Sequence, residues 1–287
     1  NEGANELIVD ENATPGQKAK AQMAYDTGGY AADPEVFGGL LQWGRKMDGH
    51  EDRESTTTSS KPADPANAGN QFVTSSSNWL SSPIDDLWGN GGGLLTQANT
   101  TYTGSQNVNN PCPDGYRVPT QHEWALLGHD AGGSGEEWDD YFYTDLDENS
   151  TVVDNAATPQ NNPDITWVRV SEGRAAAPDT WIDDGETRGY ALYDSTVWTN
   201  ADPGYRNGTD LLSDAAAPDP LLFLPAGGTR IYFDDGDVGY TGSSGYYWSS
   251  VVDGTNSYFM FFNSVGVDAG NSAADRAFGM SVRCIAE

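Results

Sequence analysis

The residues of this chain that could do chemistry are few and widely spaced. Thiol chemistry would depend on Cys112 and Cys284, the two cysteines of the chain. Two cysteines cannot complete a structural zinc site, and neither lies beside a histidine that could activate a thiolate. In an oxidising compartment they can instead pair and close a loop of about 170 residues, which the chain-entropy model values at roughly 5 kcal/mol at most. The sequence alone does not establish that pairing.

The histidines and carboxylates form no recognisable catalytic set. His50 falls in a predicted loop, His122 on a short predicted helix, and His129 beyond the predicted end of that helix. Adjacent acids such as Asp183 and Asp184 resemble a glycosidase pair, but 43 acidic residues make such pairs expected by chance. A nucleophile elbow and a phosphate-binding glycine loop are both missing from the sequence. We therefore predict that the chain is not an enzyme and needs no cofactor.

Two acidic stretches could hold a calcium ion. Asp145, Asp147 and Asn149 match the first three ligand positions of a Ca²⁺ loop. That loop lacks the glycine of the sixth position, where Ser150 stands, and the bidentate glutamate of the last, where Ala156 stands. A solvated acidic turn is the default interpretation, with a structural calcium as the alternative. The same alternatives apply to a second stretch, formed by Asp234, Asp235 and Asp237.

The charge of the chain excludes several classes of partner. Its formal net charge is -29, from 43 acidic and 14 basic residues. Such a field repels phosphate backbones, so we predict no nucleic-acid partner. Anionic membrane surfaces are disfavoured for the same reason, and no apolar run is long enough to span a bilayer. The chain begins with Asn-Glu-Gly and shows no signal peptide, so we expect a mature or trimmed product.

The elements that must position these residues are short strands joined by many turns. Aromatic residues make up 11% of the chain, and 34 glycines and 15 prolines punctuate it. Residues 116–118 read as a strand that ends at Pro119. Thr120 and Glu123 then have the spacing of a capping box, which predicts a short helix that buries Trp124 and Leu127.

The densest run of predicted strands follows residue 221. Side chains alternate between the faces of a strand, so Tyr258, Met260 and Phe262 share one face, while Phe259 and Phe261 share the other. One set should be core, and the other would then be an exposed apolar stripe that binds a ligand. In the alternative interpretation, the first set packs beneath the insertions of the chain.

Three other residues of this region have predicted positions. Trp248 is expected in the core. Tyr246 and Tyr247 alternate, so we expect one to be buried and the other to line a site. Arg283 is expected to be an internal hydrogen-bonding arginine.

Several segments resemble proteins related to the formylglycine-generating enzyme, a variant of the C-type lectin fold. Residues 115–124 (GYRVPTQHEW) resemble its strand-to-helix entry, and residues 279–284 (GMSVRC) its closing strand. A particular branch is also similar, namely the Fibrobacter/Bacteroidetes-type surface paralogues and the variable proteins of diversity-generating retroelements. The segments that resemble this branch are 40–46, 85–90, 223–228 and 245–250.

The resemblance implies an α+β, C-type-lectin-like fold with short twisted antiparallel strands, few helices and long irregular loops. Residues 1–36 would be a leader or edge segment. Residues 37–287 would form one domain with insertions near 50–75 and 128–165. The oxidase-like branch of the family uses a cysteine pair and a metal, but neither cysteine of this chain lies where that pair is expected.

By resemblance, the chain would be a non-enzymatic binding protein that is extracellular, on the cell surface or on a virion. Its partner would be a protein or glycan on a host or neighbouring cell. The alternative is a structural or assembly subunit that associates with itself. The diversified region would be 245–285. Within it, the expected ligand-binding residues are Tyr246, Val251, Val252, Asp253, Thr255, Asn256, Tyr258, Met260, Phe262, Asn263, Val265, Val267 and Asp268.

Overall fold

The computed structural model describes residues 12, 14, 17–18, 37–89, 109–125, 127, 145–146, 152–153, 165–171, 187–194, 220–263 and 266–286. One short α-helix, α1 (Gln121–Ala125), and a 3-10 helix (Pro65–Asn67) lie within these residues. The strands, in chain order, are β1 (Leu41–Gln42), β2 (Thr57–Thr58), β3 (Phe72–Val73), β4 (Tyr116–Arg117), β5 (Asp145–Leu146), β6 (Val152–Val153), β7 (Ile165–Ser171), β8 (Thr187–Asp194), β9 (Leu222–Pro225), β10 (Thr229–Ile231), β11 (Asp237–Gly239), β12 (Gly245–Asp253), β13 (Asn256–Phe262), β14 (Val267–Asp275), β15 (Gly279–Met280) and β16 (Ile285–Ala286).

These strands form several small sheets. One has the order β1-β15-β10-β11, a second β12-β13-β14, and a third β7-β8-β9. The strands β4 and β16 pair with each other, as do β5 and β6, and the pair β2–β3 is parallel. The described part of the chain is thus mostly sheet with very little helix. That agrees with the predicted scarcity of helices, whereas the lectin-type assignment stays a prediction.

The predicted capping box is present at the start of α1. The Thr120 N–H donates to Glu123 Oε2 (2.8 Å), and the Glu123 N–H donates to Thr120 Oγ1 (3.2 Å). Arg117 donates to the same carboxylate. Burial alone would raise the pKa of Glu123, but the bonds and charge from Arg117 and Thr120 lower it overall. The helix buries Trp124, as its sequence predicts.

In the described part of the chain, two large apolar clusters lie on opposite faces of the β12-β13-β14 sheet, and a smaller one contains Val251 and Tyr258. We call the largest one the tryptophan cluster; it contains Leu41, Trp43, Val73, Trp79, Leu80, Leu87, Trp88, Val118, Trp248, Val252, Phe259 and Met280. The second cluster contains Trp124, Tyr190, Leu192, Leu224, Ala226, Tyr247, Met260, Phe262 and Val267. Trp248 is fully buried, as predicted.

Indole N–H groups tie the tryptophan cluster to the backbone. Trp43 donates to the Ser249 carbonyl (2.9 Å), and Trp248 donates back to the Leu41 carbonyl (2.7 Å). Trp79 donates to the carbonyl of Trp43 (2.7 Å). A buried indole N–H that donates to a carbonyl leaves no unsatisfied hydrogen-bond donor in the core. These rings therefore fill the core and also link β12 to the chain around β1.

Cys112 and Cys284 form a disulfide across a sequence separation of 172 residues. The sequence left this pairing open, and the structure shows it. The bond lies next to the β4–β16 pair, in which Arg117 is opposite Ile285. A disulfide is compatible with an extracellular location. None of the helices in the described ranges is long and apolar enough to cross a membrane.

Of the four buried arginines in the described residues, three lie with the guanidinium over an aromatic ring of the interior. Arg230 donates to the carbonyls of Gly236 (2.6 Å) and Asp52 (3.0 Å), and its guanidinium lies over the Phe72 ring, 4.3 Å from the centroid. Arg45 and Arg276 are buried likewise, with their guanidinium groups over the rings of Trp79 and Trp43. Phe72 and His50, both within the predicted insertion near 50–75, are fully buried. The two ends of that segment are therefore packed into the core, while residues 51–71 are exposed or half-buried.

Candidate functional site

The β12–β13 hairpin contains most of the predicted ligand-binding residues and is therefore the candidate site. Tyr247 lies opposite Met260, and Trp248 lies opposite Phe259. The register shifts between Trp248 and Val252, which marks a bulge. Gly245 lies opposite Phe262, and a Cβ at Gly245 would lie 2.2 Å from that ring, so glycine is required there.

Both faces of β13 are covered. Tyr258, Met260 and Phe262 are buried, and the last two belong to the second cluster. Phe259 is buried in the tryptophan cluster, and Phe261 packs partly buried against that cluster. The expectation of an exposed apolar stripe on one face is therefore wrong, because the sheet has a packed cluster on each side.

The predicted ligand-binding residues divide into three groups by exposure. The buried ones are Val251, Val252, Tyr258, Met260, Phe262, Val267 and Asp268. The half-buried ones are Tyr246, Asn256 and Asn263. The exposed ones are Asp253 and Thr255, at the turn of the hairpin. Val265 lies outside the described residues. As expected for alternating tyrosines, Tyr247 is buried and Tyr246 is half-buried.

Buried Asp268 acts within the sheet. Ser272 Oγ donates a short hydrogen bond to Asp268 Oδ2, and both residues belong to β14. The register of β13 against β14 shifts between Phe259 and Phe261, next to the point where Asp268 lies opposite Phe261. This carboxylate is thus part of the irregular pairing, and it is not presented to solvent.

A buried arginine anchors the main chain of the hairpin turn. Arg276, 1% exposed, donates to the carbonyls of Gly254 (2.8 Å) and Asn256 (3.2 Å). It also pairs with Asp85 (2.8 Å), and its guanidinium lies over the Trp43 ring, 4.7 Å from the centroid. Gly254 has a φ of 56°, which glycine takes without strain. The main chain of the turn is therefore anchored to the core.

The exposed side chains of this turn stay available. Within the described residues, the side chains of Asp253 and Thr255 make no hydrogen bond. Burial raises the pKa of Tyr258, and the nearby charge of Asp253 raises it further, so this phenol keeps its proton at neutral pH. The result is a fixed backbone that presents one free carboxylate and one free hydroxyl.

Arg276 was not predicted from the sequence, which pointed to Arg283 as the internal arginine. Arg283 is exposed, so that expectation is wrong. Arg276 directly follows β14 and precedes Ala277, and no local motif distinguishes it. Its role depends on contacts with Ile84, Asp85, Gly254 and Asn256, all of which are at least 20 residues away in the sequence.

One group in the described residues has the composition of a metal site: Asp48, His50 and Glu51, whose ligand atoms lie within 4.8 Å of one another. Both ring nitrogens of His50 are already used. Nε2 accepts the Gln42 N–H (3.0 Å), which places the ring proton on Nδ1, where it is donated to Asp48 (2.6 Å). Arg45 lies 3.0 Å from that same carboxylate. The group is thus a saturated structural network, and its arginine would repel a cation.

Burial lowers the pKa of His50, and the charge of Arg45 lowers it further against the opposing effect of Asp48. The pKa of Asp48 is also lowered, because His50 and Arg45 together outweigh the effect of burial, which raises it. The network therefore has a neutral imidazole between an ionised carboxylate and a main-chain donor.

The predicted calcium stretches receive no support as ion sites. Of the first stretch, Asp145 begins β5, while Asp147 and Asn149 lie outside the described residues. In the second stretch, Asp234, Asp235 and Asp237 are exposed at the turn between β10 and β11. A cluster of exposed carboxylates is common without a metal.

Comparison with known proteins found no protein family whose pattern matches the chain. No curated protein and no solved structure is significantly similar to it either.

Proposed function

We propose that this chain is a non-enzymatic binding protein, displayed outside the cell or on a virion, whose recognition surface includes the β12–β13 turn. The observation that carries the proposal is the contrast at this turn between a fixed main chain and free side chains. Buried Arg276 holds the carbonyls of Gly254 and Asn256, while Asp253 and Thr255 project into solvent. Recognition loops on rigid scaffolds combine the same two properties.

We also propose a C-type-lectin-like domain as the scaffold. The segments that carry the resemblance lie side by side in the structure, although they are distant in the chain. Leu41 pairs with Met280, and the Trp248 N–H donates to the Ser281 carbonyl (3.0 Å). Convergence of these segments on one core supports a single domain built around them.

The proposed ligand is a protein or glycan on a host or neighbouring cell. Asp253 offers a carboxylate acceptor, Thr255 a hydroxyl and half-buried Asn256 an amide at the turn, while the phenol of half-buried Tyr246 lies toward the other end of the hairpin, opposite Phe261. Short polar side chains with tyrosine suit adaptable recognition, as in antibody loops.

The test is a binding screen followed by matched variants. The purified protein is screened on a glycan array and on immobilised cell-surface proteins, and the affinity for any hit is measured. The double variant Asp253→Ser, Thr255→Ala should weaken binding by about tenfold, with an unchanged melting temperature. The control Asp64→Asn changes the exposed N-cap of the 3-10 helix, a role that asparagine also fills, and should bind normally. Normal binding by the double variant would show that the turn is not the recognition surface.

Diversification of this surface is a separate part of the proposal, and DNA alone tests it. A near-copy of the codons for residues 245–285 should lie beside a reverse-transcriptase gene and differ from them at adenines. Absence of such a copy removes the diversification claim and leaves the binding claim standing.

A further inference from the structure

The hairpin formed by β10 and β11 exposes large hydrophobic side chains to an unusual degree. Phe233 is 69% exposed and Tyr240 is 58% exposed. These are two of five exposed large hydrophobics in the described part of the chain, where the others, Met47, Tyr116 and Leu221, are scattered. Phe233 lies in the turn of the hairpin, whereas Tyr240 directly follows β11 at the opposite end, so Phe233 is the exposed ring of the turn itself.

Phe233 belongs to a braced group of three rings, which we call the aromatic platform. The rings of Tyr232, Phe233 and Phe278 meet edge to face, with centroids 5.2, 5.2 and 5.7 Å apart. The Tyr232 hydroxyl donates to Asp275 Oδ2 (2.6 Å), and Phe278 packs against the tryptophan cluster. The platform is therefore tied to the core, while most of the Phe233 ring faces solvent.

Three acidic residues follow the exposed ring in the sequence of the hairpin, and one of them, Asp237, interacts electrostatically with Arg230. Asp234, Asp235 and Asp237 are all exposed, and none makes an ion pair or a side-chain hydrogen bond within the described residues. The guanidinium of Arg230 is directed beneath the hairpin, where it donates to the carbonyls of Gly236 and Ser55. The solvent side of the turn is thus both aromatic and negatively charged.

Two residues of this hairpin hold a backbone conformation that is unfavourable for their type. Asp235 has a φ of 50° and Tyr240 a φ of 63°, and they are the only positive-φ residues other than glycine in the described part of the chain. Aspartate tolerates this region, but a tyrosine there is an outlier. Such strain is kept where surrounding contacts over-determine it, often at binding surfaces.

We propose that the β10–β11 hairpin is a docking surface for a basic segment of a partner protein. An arginine or lysine of that segment lies against the exposed face of Phe233, and Asp234, Asp235 and Asp237 neutralise its charge. A cation over an aromatic face gains from the ring quadrupole. The proposal concerns residues other than the β12–β13 turn, so it stands independently of the proposed function.

Charge selects this partner over the other occupants of an aromatic surface. A second copy of the chain also carries a net charge of -29, so two hairpins would repel each other. A neutral glycan would stack on Phe233 but leave the carboxylates uncompensated. A basic segment satisfies the ring and the carboxylates together, and the overall negative field would steer it in.

The experiment uses the full chain and a short fluorescein-labelled peptide of alternating arginine and glycine. A peptide with glutamine in place of arginine is the neutral control, and binding is followed by fluorescence anisotropy at low and at about physiological ionic strength. Phe233→Ser should weaken binding by about two- to fivefold. Asp234→Asn with Asp235→Asn should weaken it by roughly fivefold at low salt, and asparagine tolerates the left-handed backbone at position 235. The control pair Asp64→Asn with Asp114→Asn removes the same charge from exposed residues of other elements.

The proposal requires the hairpin variants to lose affinity while the control pair changes it by less than about twofold, with all variants keeping the wild-type melting temperature. Equal losses in both pairs would mean that the peptide responds to net charge alone, which overturns the proposal. Normal binding by Phe233→Ser overturns it as well. If the glutamine peptide binds equally, or if glycan-array binding depends on Phe233 while the arginine peptide does not bind, the surface is not a site for basic segments.

Discussion

Four arginines lie buried in the described part of the protein, whereas the carboxylates of the β10–β11 and β12–β13 turns lie on its surface. The buried set is Arg45, Arg117, Arg230 and Arg276. The whole chain has 14 basic and 43 acidic residues. Three of the four buried arginines also pair with a carboxylate, Arg45 with Asp48, Arg117 with Glu123 and Arg276 with Asp85.

The two regions use charge for different purposes. In the interior, Arg45, Arg230 and Arg276 each donate to several main-chain carbonyls of irregular segments, as Arg45 does to Gln71 (2.9 Å) and Gly69 (3.0 Å). Arg117 instead donates to the Glu123 carboxylate. A fold with little helix and short strands has many carbonyls that no sheet satisfies, and a planar five-donor group suits them. The exposed carboxylates of Asp234, Asp235 and Asp253 accept no side-chain hydrogen bond within the described residues, so they are available for recognition.

The largest expected effect comes from the interior. Arg276→Ala should reduce the free energy of unfolding by about 3 kcal/mol, because it leaves the carbonyls of Gly254 and Asn256 without a donor and Asp85 without a cation. Arg283→Ala is the matched control, since Arg283 is exposed, and it should change stability by less than about 0.5 kcal/mol. Urea unfolding of both variants measures the difference. Equal effects would end the distinction between structural and surface arginines.

The second-largest expected effect is a loss of stability at acidic pH, caused by protonation of the buried network of Asp48 and His50. The pKa of His50 is lowered in the folded protein, so below the ordinary value of 6.5 the unfolded chain takes up the proton first. The free energy of unfolding that neutral His50 contributes above pH 6.5 is therefore lost as the pH falls toward the pKa of His50 in the folded protein. The pKa of Asp48 is lowered too, so its contribution is lost at lower pH, below its ordinary value of 3.8.

His50→Asn isolates the histidine step of this pH dependence. The variant should lose about 1 kcal/mol at neutral pH, because the Gln42 N–H loses its acceptor. It should also show a flatter stability profile just below the ordinary histidine pKa, while the steeper fall at lower pH persists. Melting temperatures across a pH series check this. A variant profile parallel to the wild type would show that His50 is not the titrating group.

The smallest expected effect belongs to the surface. Asp253→Ser and Thr255→Ala, singly or together, should change the free energy of unfolding by less than about 0.5 kcal/mol, because their side chains make no described hydrogen bond. Urea unfolding measures this as well. A loss comparable to that of Arg276→Ala would mean that the turn is part of the structural interior, and its recognition role would have to be abandoned.

Local features were the ones that could be predicted from the sequence. The capping box of Thr120 and Glu123 depends on residues three apart, and it forms as expected. The burial of Trp248 and the division between Tyr246 and Tyr247 also follow from residue type and strand alternation. In each case the interacting groups are close in sequence or belong to one strand.

The alternation of side chains along a strand could not predict which of them are exposed to solvent. The pattern correctly separated Met260 and Phe262 from Phe259 and Phe261, but it predicted solvent on one side. Strand periodicity shows which side chains share a face, and it carries no information about what packs on that face. Segments as distant as β1 and β8 cover the two sides of this sheet.

The sequence by itself determined the composition of charge, the short strands with their turns, the capped helix and the two cysteines available for pairing. The tertiary structure decided that those cysteines meet, that Arg276 and not Arg283 is the internal cation, and that Asp253 and Thr255 are the exposed part of the predicted surface. The reason is physical. Burial and the neutralisation of charge depend on groups brought together from distant parts of the chain, and no local pattern records them.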